Sequence, residues 1–415
     1  MVNIAVLGYG VVGSGVVEVV KKNEMSISKR AGERIAVKKI LDIRDFPESP
    51  DAELITKNAD EIFNDDSISI IVETIGGIGV AYEFTKRAFQ KGKHVVTSNK
   101  ELVATYGPEL LKLAKSCGVN YLFEASVGGG IPIIRPLSEC LAANEISAIT
   151  GILNGTTNYI LTQMKKEGKD FNSALKGAQQ NGYAEADPTA DIEGHDTCRK
   201  IAILSSIAYN EFVDYKNIHT EGITGITQED MQYAEAMGSV IKLIAVSRKV
   251  DDKIFARVSP AIISKSHPLA NVEDVFNAIL VSGNAIGDVM FYGRGAGKLP
   301  TASAVVADVI DIVKHTGNGR SVWEKKDYNN IIDTGEGETR FFVRVATASD
   351  KEAKKHILSI FGNVDFIRLE KPEYEDEVAF VTMRSKEKDL SAKVSQLKEA
   401  DVIKGIKNII RVEEE

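Results

Sequence analysis

The stretch EADPTADIEGHDTCRK runs from Glu185 to Lys200 and holds five carboxylates before it closes on Arg199 and Lys200. An almost wholly apolar run, IAILSSIAY, follows it. Asp196 and Lys200 stand four residues apart, so on a helix they share one face. Ile203, Leu204 and Ile207 fall at +3, +4 and +7 from Lys200, in line with that pair. A surface ion pair would sit opposite the apolar stripe, not along it. A lysine directed into a core is costly unless it is paired, and burial moves its pKa toward the range of proton transfer. The spacing therefore points to a functional pair, with Asp196 orienting and charging Lys200. Of Glu185, Asp187 and Asp191, one or two are expected to bind a cation such as a substrate ammonium group. The remainder are expected in solvent, and Glu193 has a lesser role.

A second group handles phosphate. GYGVVGSG places Gly8, Gly10 and Gly13 in the GxGxxG spacing, with Val11 and Val12 between them. It follows the strand-like VNIAVL and opens a helical pattern. In that setting the first glycine makes the tight turn, the second lets backbone approach a pyrophosphate, and the third lets helix and strand pack. The phosphates then sit on a helix N-terminus. A second strand ends at Asp42, which can accept ribose hydroxyls as in NAD sites. Arg44, with Lys39, can instead hold the 2′-phosphate of NADP. Both readings stay open.

The third group is TSNKELVA, residues 97–104, at the carboxyl end of another predicted strand. Ligands of open α/β sheets bind just beyond those ends, which puts Ser98 and Lys100 beside the nicotinamide. Thr74 ends a neighbouring strand and is expected at the same edge. The fourth is FEASVGGGIP, residues 123–132. Three consecutive glycines there form either a hinge or, with Glu124 and nearby carbonyls, a cradle for a hard monovalent cation. The histidines form no ligand pair; His195 beside Asp196 reads as incidental.

These residues need elements to carry them. Strands are expected at 2–7, 35–42, 68–74, 93–97 and 120–124, with helices at 80–91 and 107–117 between them. That βαβ rhythm predicts a Rossmann-type, doubly wound parallel sheet over residues 1–130. Residues 131–294 read as an α+β domain for substrate binding and dimerisation. It has strands at 146–153 and 254–263 and helices at 156–167, 172–181, 196–209 and 228–238. The loop around Gly295 leads into an apolar helix, capped by Thr301 or Ser303, and residues 295–320 are expected to complete the first domain. A polar stretch follows at 316–338. Residues 339–415 then show a βαββαβ order.

Bulk composition agrees with a multidomain soluble protein: 415 residues, 43% apolar, 27% charged and a formal charge of −8. That charge argues against a nucleic-acid partner. No apolar run approaches ~18 residues, so no membrane span is expected. Cys117, Cys140 and Cys198 are widely spaced, with no CxxC, which fits reduced thiols, a cytoplasmic location and no zinc site. Cys198 is expected to be buried and inert. Met1 runs straight into a strand, so no leader is expected.

GYGVVGSGV, TSNKELVA, EASVGGGIPII, ILNGTTNYIL, GYAEADPTADIEGHDTCRK and GAGKLPTASAVVAD resemble, in this order, the motifs of the homoserine dehydrogenase family. The resemblance covers about residues 1–320. It implies reversible NAD- or NADP-dependent interconversion of L-aspartate 4-semialdehyde and L-homoserine, within threonine and methionine biosynthesis. By position, Lys200 resembles the family's general acid/base, with Asp196 as its partner, and Lys100 the lysine near the nicotinamide and the reacting oxygen. Glu185 matches the carboxylate that takes the substrate ammonium; Asp191 is expected to line the substrate site in a lesser role. Gly155, Thr156 and Tyr183 match pocket positions whose amide and hydroxyl donors hold the substrate carboxylate. Glu124, Val127, Gly129 and Ile131 match a site for Na⁺ or K⁺, the last three through carbonyls. Gly295 matches the segment that returns to the cofactor. The C-terminal order resembles an ACT domain, which implies an amino-acid effector such as threonine, and the family implies a homodimer or homotetramer.

Two departures qualify this. The second strand reads LDIRD, an acid where the family often has only a basic residue. The ACT-type glycine turn is replaced by TASDKEAKKHI, so effector binding does not follow from the fold. From the length of 415 residues no fused aspartate kinase is expected. Competing readings are a nucleotide-sensing regulatory protein and an oxidoreductase for another small amino acid; Lys100, Glu185, Asp196 and Lys200 speak against the first.

Overall fold

The structure, a computed structural model, describes residues 1–315, 322–369 and 376–413. The expected extension of the first domain beyond residue 315 to residue 320 lies outside them. The chain divides into two compact units. One comprises Met1–Ser147, Arg199–Lys216 and Val281–Asn329; the other comprises Ala148–Cys198, Asn217–Leu280 and Asn330–Glu415.

In the first unit, Val2–Leu7, Ile35–Leu41, Ile55–Thr56, Ile68–Glu73, His94–Thr97 and Tyr121–Leu122 form one sheet. In chain order of these strands, their sequence across the sheet is 3-2-1-4-5-6, and the pairs are parallel. Ile4, Val6, Ile70, Val72 and Val96 are fully buried, as parallel strands covered on both faces require. Leu7 pairs with Leu41 and with Glu73, and Glu73 with Thr97. The carboxyl ends are thus level, and Gly8, Asp42, Thr74 and Ser98 all emerge at one edge. The last strand is two residues long, not five, because Glu124–Ser126 turns into a 3₁₀ segment.

Helix Lys298–Lys314 packs on helix Val11–Lys22, sharing a core with Val16, Val20, Val305 and Val309. Each such buried valine is worth roughly 1.5–3 kcal/mol. Contact is close because a side chain at Gly15 would reach the Lys298 carbonyl at 2.9 Å. This helix begins earlier than expected. Gly297 is its N-cap, so Thr301 and Ser303 lie inside it; Pro300 is tolerated in the first turn, where no amide donor is needed.

Helix Lys100–Cys117 also starts early, capped by Asn99, and continues through Pro108. The preceding Gly107 faces Trp323, whose ring a Cβ would meet at 2.3 Å.

In the second unit, Ser239–Val250, Lys253–Ser264, Ile403–Glu413, Glu338–Thr347, Glu377–Thr382 and Val364–Ile367 follow one another across a mixed sheet. The C-terminal segment does have a βαββαβ order, with helices Asp350–Phe361 and Glu387–Lys398. Its sheet is continuous with the hairpin 239–264, however, because Ala261, Ile262 and Ile263 pair in parallel with Arg411, Val412 and Glu413. Buried charges fasten the junction. Arg411 donates to Glu387 and Glu221, at 2.6 Å each, and Arg257 pairs with Glu387 and Glu413.

No helix among the described residues is long and apolar enough to cross a membrane.

Candidate active site

The fingerprint loop is built for a ligand on one side only. Gly8 has φ +94°, and a side chain at Gly13 would lie 1.8 Å from the Gly8 carbonyl. A side chain at Gly10 would meet no protein atom within 4 Å. Crowding at the first and third glycines and open space at the second is the arrangement a pyrophosphate needs. Val11 opens the helix, with Gly10 as cap. Thr74 donates to the carbonyls of Leu7 and Gly8, at 3.0 and 2.9 Å, and so shapes the turn. These residues fit a dinucleotide.

At the ribose end, Asp42 is 7% exposed and already engaged. Arg44 donates to both its oxygens, at 3.0 and 2.9 Å, and the Tyr9 amide donates at 2.7 Å. The guanidinium holds the Asp42 carboxyl well below the usual carboxylate range. Arg44 itself is exposed and lies over the Phe46 ring at 5.0 Å. Lys39 is paired with Glu61 instead.

The neighbouring strand ends carry a buried network that the sequence did not disclose. Thr97 donates to Glu73 at 2.5 Å, the Asn99 amide donates to Thr97 at 2.9 Å, and Asn99 caps the helix that opens at Lys100. Burial pushes the Glu73 carboxyl up to about 7, against hydrogen bonds from Thr97 and the Ile75 amide. Lys100 is half-buried, the first residue of its helix.

Lys200 is 8% exposed and Asp196 3%, one turn apart on helix His195–Tyr209. The helix differs from the one-sided stripe expected for it. Ile201 through Ser206 are all buried, so every face is covered in that stretch, and the burial of Lys200 does not depend on a stripe. Arg199, beside Lys200, donates to Glu101, beside Lys100, at 3.3 Å. His195 is exposed, and Cys198 is buried as expected.

The acidic loop sorts into distinct jobs. Asp187 accepts from the Thr189 amide and hydroxyl, closing a local turn. Glu185 is exposed on the loop that precedes it. Asp191 and Asp196 accept from the same group, the Asn154 side-chain amide, at 2.7 and 2.8 Å. Thr156 donates its hydroxyl to the Tyr183 carbonyl at 2.7 Å. That hydroxyl therefore pins the loop, while Gly155 and Thr156 open the helix that Asn154 caps. Gly155 fits because a side chain there would meet the Val275 carbonyl at 2.8 Å. Tyr183 packs edge-on against Tyr159, centroids 5.0 Å apart.

The glycine cluster is not slack. A side chain at Gly129 would lie 2.3 Å from the Gly295 carbonyl, and the Gly130 amide donates to the Arg294 carbonyl at 3.1 Å. The Glu124 carboxylate accepts three backbone amides, of Ile133, Ile134 and Arg135, at 2.6 to 2.8 Å. These bonds close a turn around the carboxylate. The carbonyls of Val127, Gly129 and Ile131 remain as the chemistry a cation would use.

Comparison with known proteins gives this geometry its context. The homoserine dehydrogenase profile matches residues 132–310, and the profile of the NAD binding domain of homoserine dehydrogenase matches 8–124. Homoserine dehydrogenase of Bacillus subtilis is 35% identical over 99% of this chain and 98% of its own length. The crystal structure of a homoserine dehydrogenase from Thiobacillus denitrificans, 36% identical, superposes with a TM-score of 0.91 over 100% of this chain and 98% of that one. A hyperthermophilic archaeal homoserine dehydrogenase in complex with NADPH, 31% identical, superposes with a TM-score of 0.64 over 75% of this chain and 97% of its own.

The chain belongs to the homoserine dehydrogenase family.

It is thus an NAD(P)-dependent oxidoreductase acting on a CH–OH group. Besides the Glu73–Thr97–Asn99 network, Asn154 and the Glu101–Arg199 pair escaped sequence reading. Asn154 was visible only as the residue before a helix, and its bridging of two carboxylates had no signal. The Glu101–Arg199 pair joins residues 98 positions apart. Asn158, inside the family-specific GTTNYI block, is structural: its amide donates to the carbonyls of Val272, Asp274 and Phe276, and its oxygen accepts from buried Lys242.

Proposed function

We propose that this homoserine dehydrogenase reduces L-aspartate 4-semialdehyde to L-homoserine with Lys200 as the general acid and Lys100 as the second cation at the reacting oxygen. The observation that carries the assignment is the Glu101–Arg199 ion pair, which ties together the two helical segments on which these lysines stand. A bound nicotinamide supplies or accepts the hydride. Lys200 and Lys100 stabilise negative charge on the carbonyl oxygen as it develops, and Lys200 delivers the proton. Asp196, buried one turn before Lys200 on the same helix, is its partner. Glu185, exposed on its loop, takes the substrate ammonium, with Asp191 behind it. The amides of Gly155 and Thr156 at a helix N-terminus take the substrate carboxylate, and Tyr183 forms part of the wall.

Between the two cofactors, the reading favours NADP. Arg44 occupies both Asp42 oxygens and exposes its outer edge, which suits a 2′-phosphate better than ribose hydroxyls. The NADPH complex of the archaeal relative supports the same preference. Ser98 and Gly295 are assigned to the cofactor by position at the sheet edge and at the return loop. A monovalent cation is assigned to the carbonyls of Val127, Gly129 and Ile131 and to that of Glu124. The C-terminal βαββαβ segment is assigned as ACT-like, an effector module or a dimer-building one. The exposed Met290 and Tyr292 on strand Gly287–Arg294 support self-association. A cytoplasmic location completes the reading.

The test is homoserine oxidation with NADP and NAD side by side, with and without threonine and with K⁺ replaced by a bulky organic cation. Turnover of homoserine with NADP ahead of NAD is expected; turnover of neither overturns the reading.

A further inference from the structure

We infer that Asn154 is a positioning residue for the reaction, one side-chain amide that sets the separation and orientation of Asp191 and Asp196. The inference rests on the roles proposed above for those two acids.

The amide is committed at both ends. Its oxygen accepts the Thr157 backbone amide at 2.9 Å and thereby caps helix Gly155–Glu167. Its nitrogen donates to Asp191 Oδ1 at 2.7 Å and to Asp196 Oδ2 at 2.8 Å. The reverse orientation is excluded. It would set an NH₂ group against the Thr157 N–H and the amide oxygen against two carboxylates. Asn154 is 5% exposed, Asp196 is 3% exposed and Asp191 is half-buried, so water cannot replace the bridge freely.

Two carboxylates placed around one nitrogen repel each other, and the donated protons offset that repulsion. The same contact fixes each acid relative to the helix N-terminus whose amides are assigned to the substrate carboxylate. Thus a single side chain joins the cap of the substrate-binding helix, the acid beside the substrate ammonium and the acid that serves Lys200. Serine and aspartate cap helices as well as asparagine does, but neither presents two N–H donors. The cap and the bridge can therefore be separated by substitution.

The experiment uses the full-length protein and two variants, Asn154→Ser and Asn154→Asp, with Lys200→Ala as reference. For Asn154→Ser the thermal midpoint is expected within about 3 °C of wild type, because the cap survives. Its kcat is expected to fall about tenfold or more, with the KM for NADP changed less than about twofold. For Asn154→Asp a third carboxylate faces Asp191 and Asp196, and the acid limb of the pH profile of kcat/KM is expected to move up by about one pH unit. Wild-type kcat and an unmoved acid limb in these variants overturn the inference, as does a kcat loss accompanied by a large fall in the thermal midpoint of both, which would mark a purely structural cap. Wild-type-like turnover in Lys200→Ala would instead overturn the proposed function, so the two failures are distinguishable.

Discussion

Arg199 donates to Glu101 across 3.3 Å, and each of these residues is the immediate chain neighbour of a lysine assigned to the reacting oxygen. The pair is partly exposed, 21% for Arg199 and 37% for Glu101, so its contribution to stability is small, about 0.2–1 kcal/mol. Its value is geometric. Arg199 also lies over the Tyr215 ring at 5.4 Å, which limits where the guanidinium can go.

Glu101→Gln is expected to lower kcat about threefold to tenfold, because small displacements of a catalytic group are costly. NADPH affinity, read by fluorescence titration, should change less than about twofold. Arg199→Gln should give the same loss, and the double variant no more than either alone. Additive losses would show that the two residues act separately.

Lys200→Ala is expected to reduce kcat by about a hundredfold to ten-thousandfold, the range for removal of a general acid. NADPH should still bind. Steady-state rates with aspartate semialdehyde decide the matter, and retention of more than about a tenth of wild-type kcat would rule Lys200 out as the acid. Glu185→Ala is a different case: it should mainly raise the KM for the amino-acid substrate.

Arg44→Ala removes the cation assigned to the 2′-phosphate and releases Asp42 toward ribose hydroxyls. The KM for NADP is expected to rise about tenfold or more, with the KM for NAD unchanged or lower. An unchanged NADP-to-NAD preference would place the determinant elsewhere.

Glu73 yields a prediction about stability and pH. Its folded-state value is about 7 against an ordinary 4.5, and the cause is burial. A raised value means the folded protein holds the proton more tightly, so this stabilisation is complete below about pH 4.5 and is lost as pH rises toward 7. The loss amounts to about 3 kcal/mol. Glu73→Gln, neutral at every pH and able to keep its contacts with Thr97 and the Ile75 amide, should match wild type near pH 4.5 and exceed it in thermal midpoint at pH 8. Parallel curves for the two proteins would mean that Glu73 is ionised at little cost.

The nucleotide-binding half was legible because its signals are local. Gly8, Gly10 and Gly13 stand at fixed spacing after an apolar strand, and the strand–helix alternation repeats. The second half hid more. Strand Ser239–Val250 escaped because Lys242 and Ser247 are buried within it and break the alternation that marks a strand. The acidic loop showed where charge gathers but not how it divides. Asp187 serves a turn and Asp191 and Asp196 share Asn154, and only folding sets these contacts. Glu124 was read by its charge, yet three amides determine what its carboxylate does. For Asp191 and Asp196 the missing term is a partner distant in sequence, Asn154.

The strand Ile403–Glu413 has a consequence for how the molecule reaches its fold. It lies between Lys253–Ser264 and Glu338–Thr347, pairing with both. Its partners on one side are therefore placed far earlier in the chain, and the sheet has an open seam until the segment after residue 400 arrives. Such non-local pairing slows folding and leaves strand edges exposed in the meantime. A chain cut before residue 403 is expected to leave the facing edges of Lys253–Ser264 and Glu338–Thr347 unpaired and so prone to aggregation.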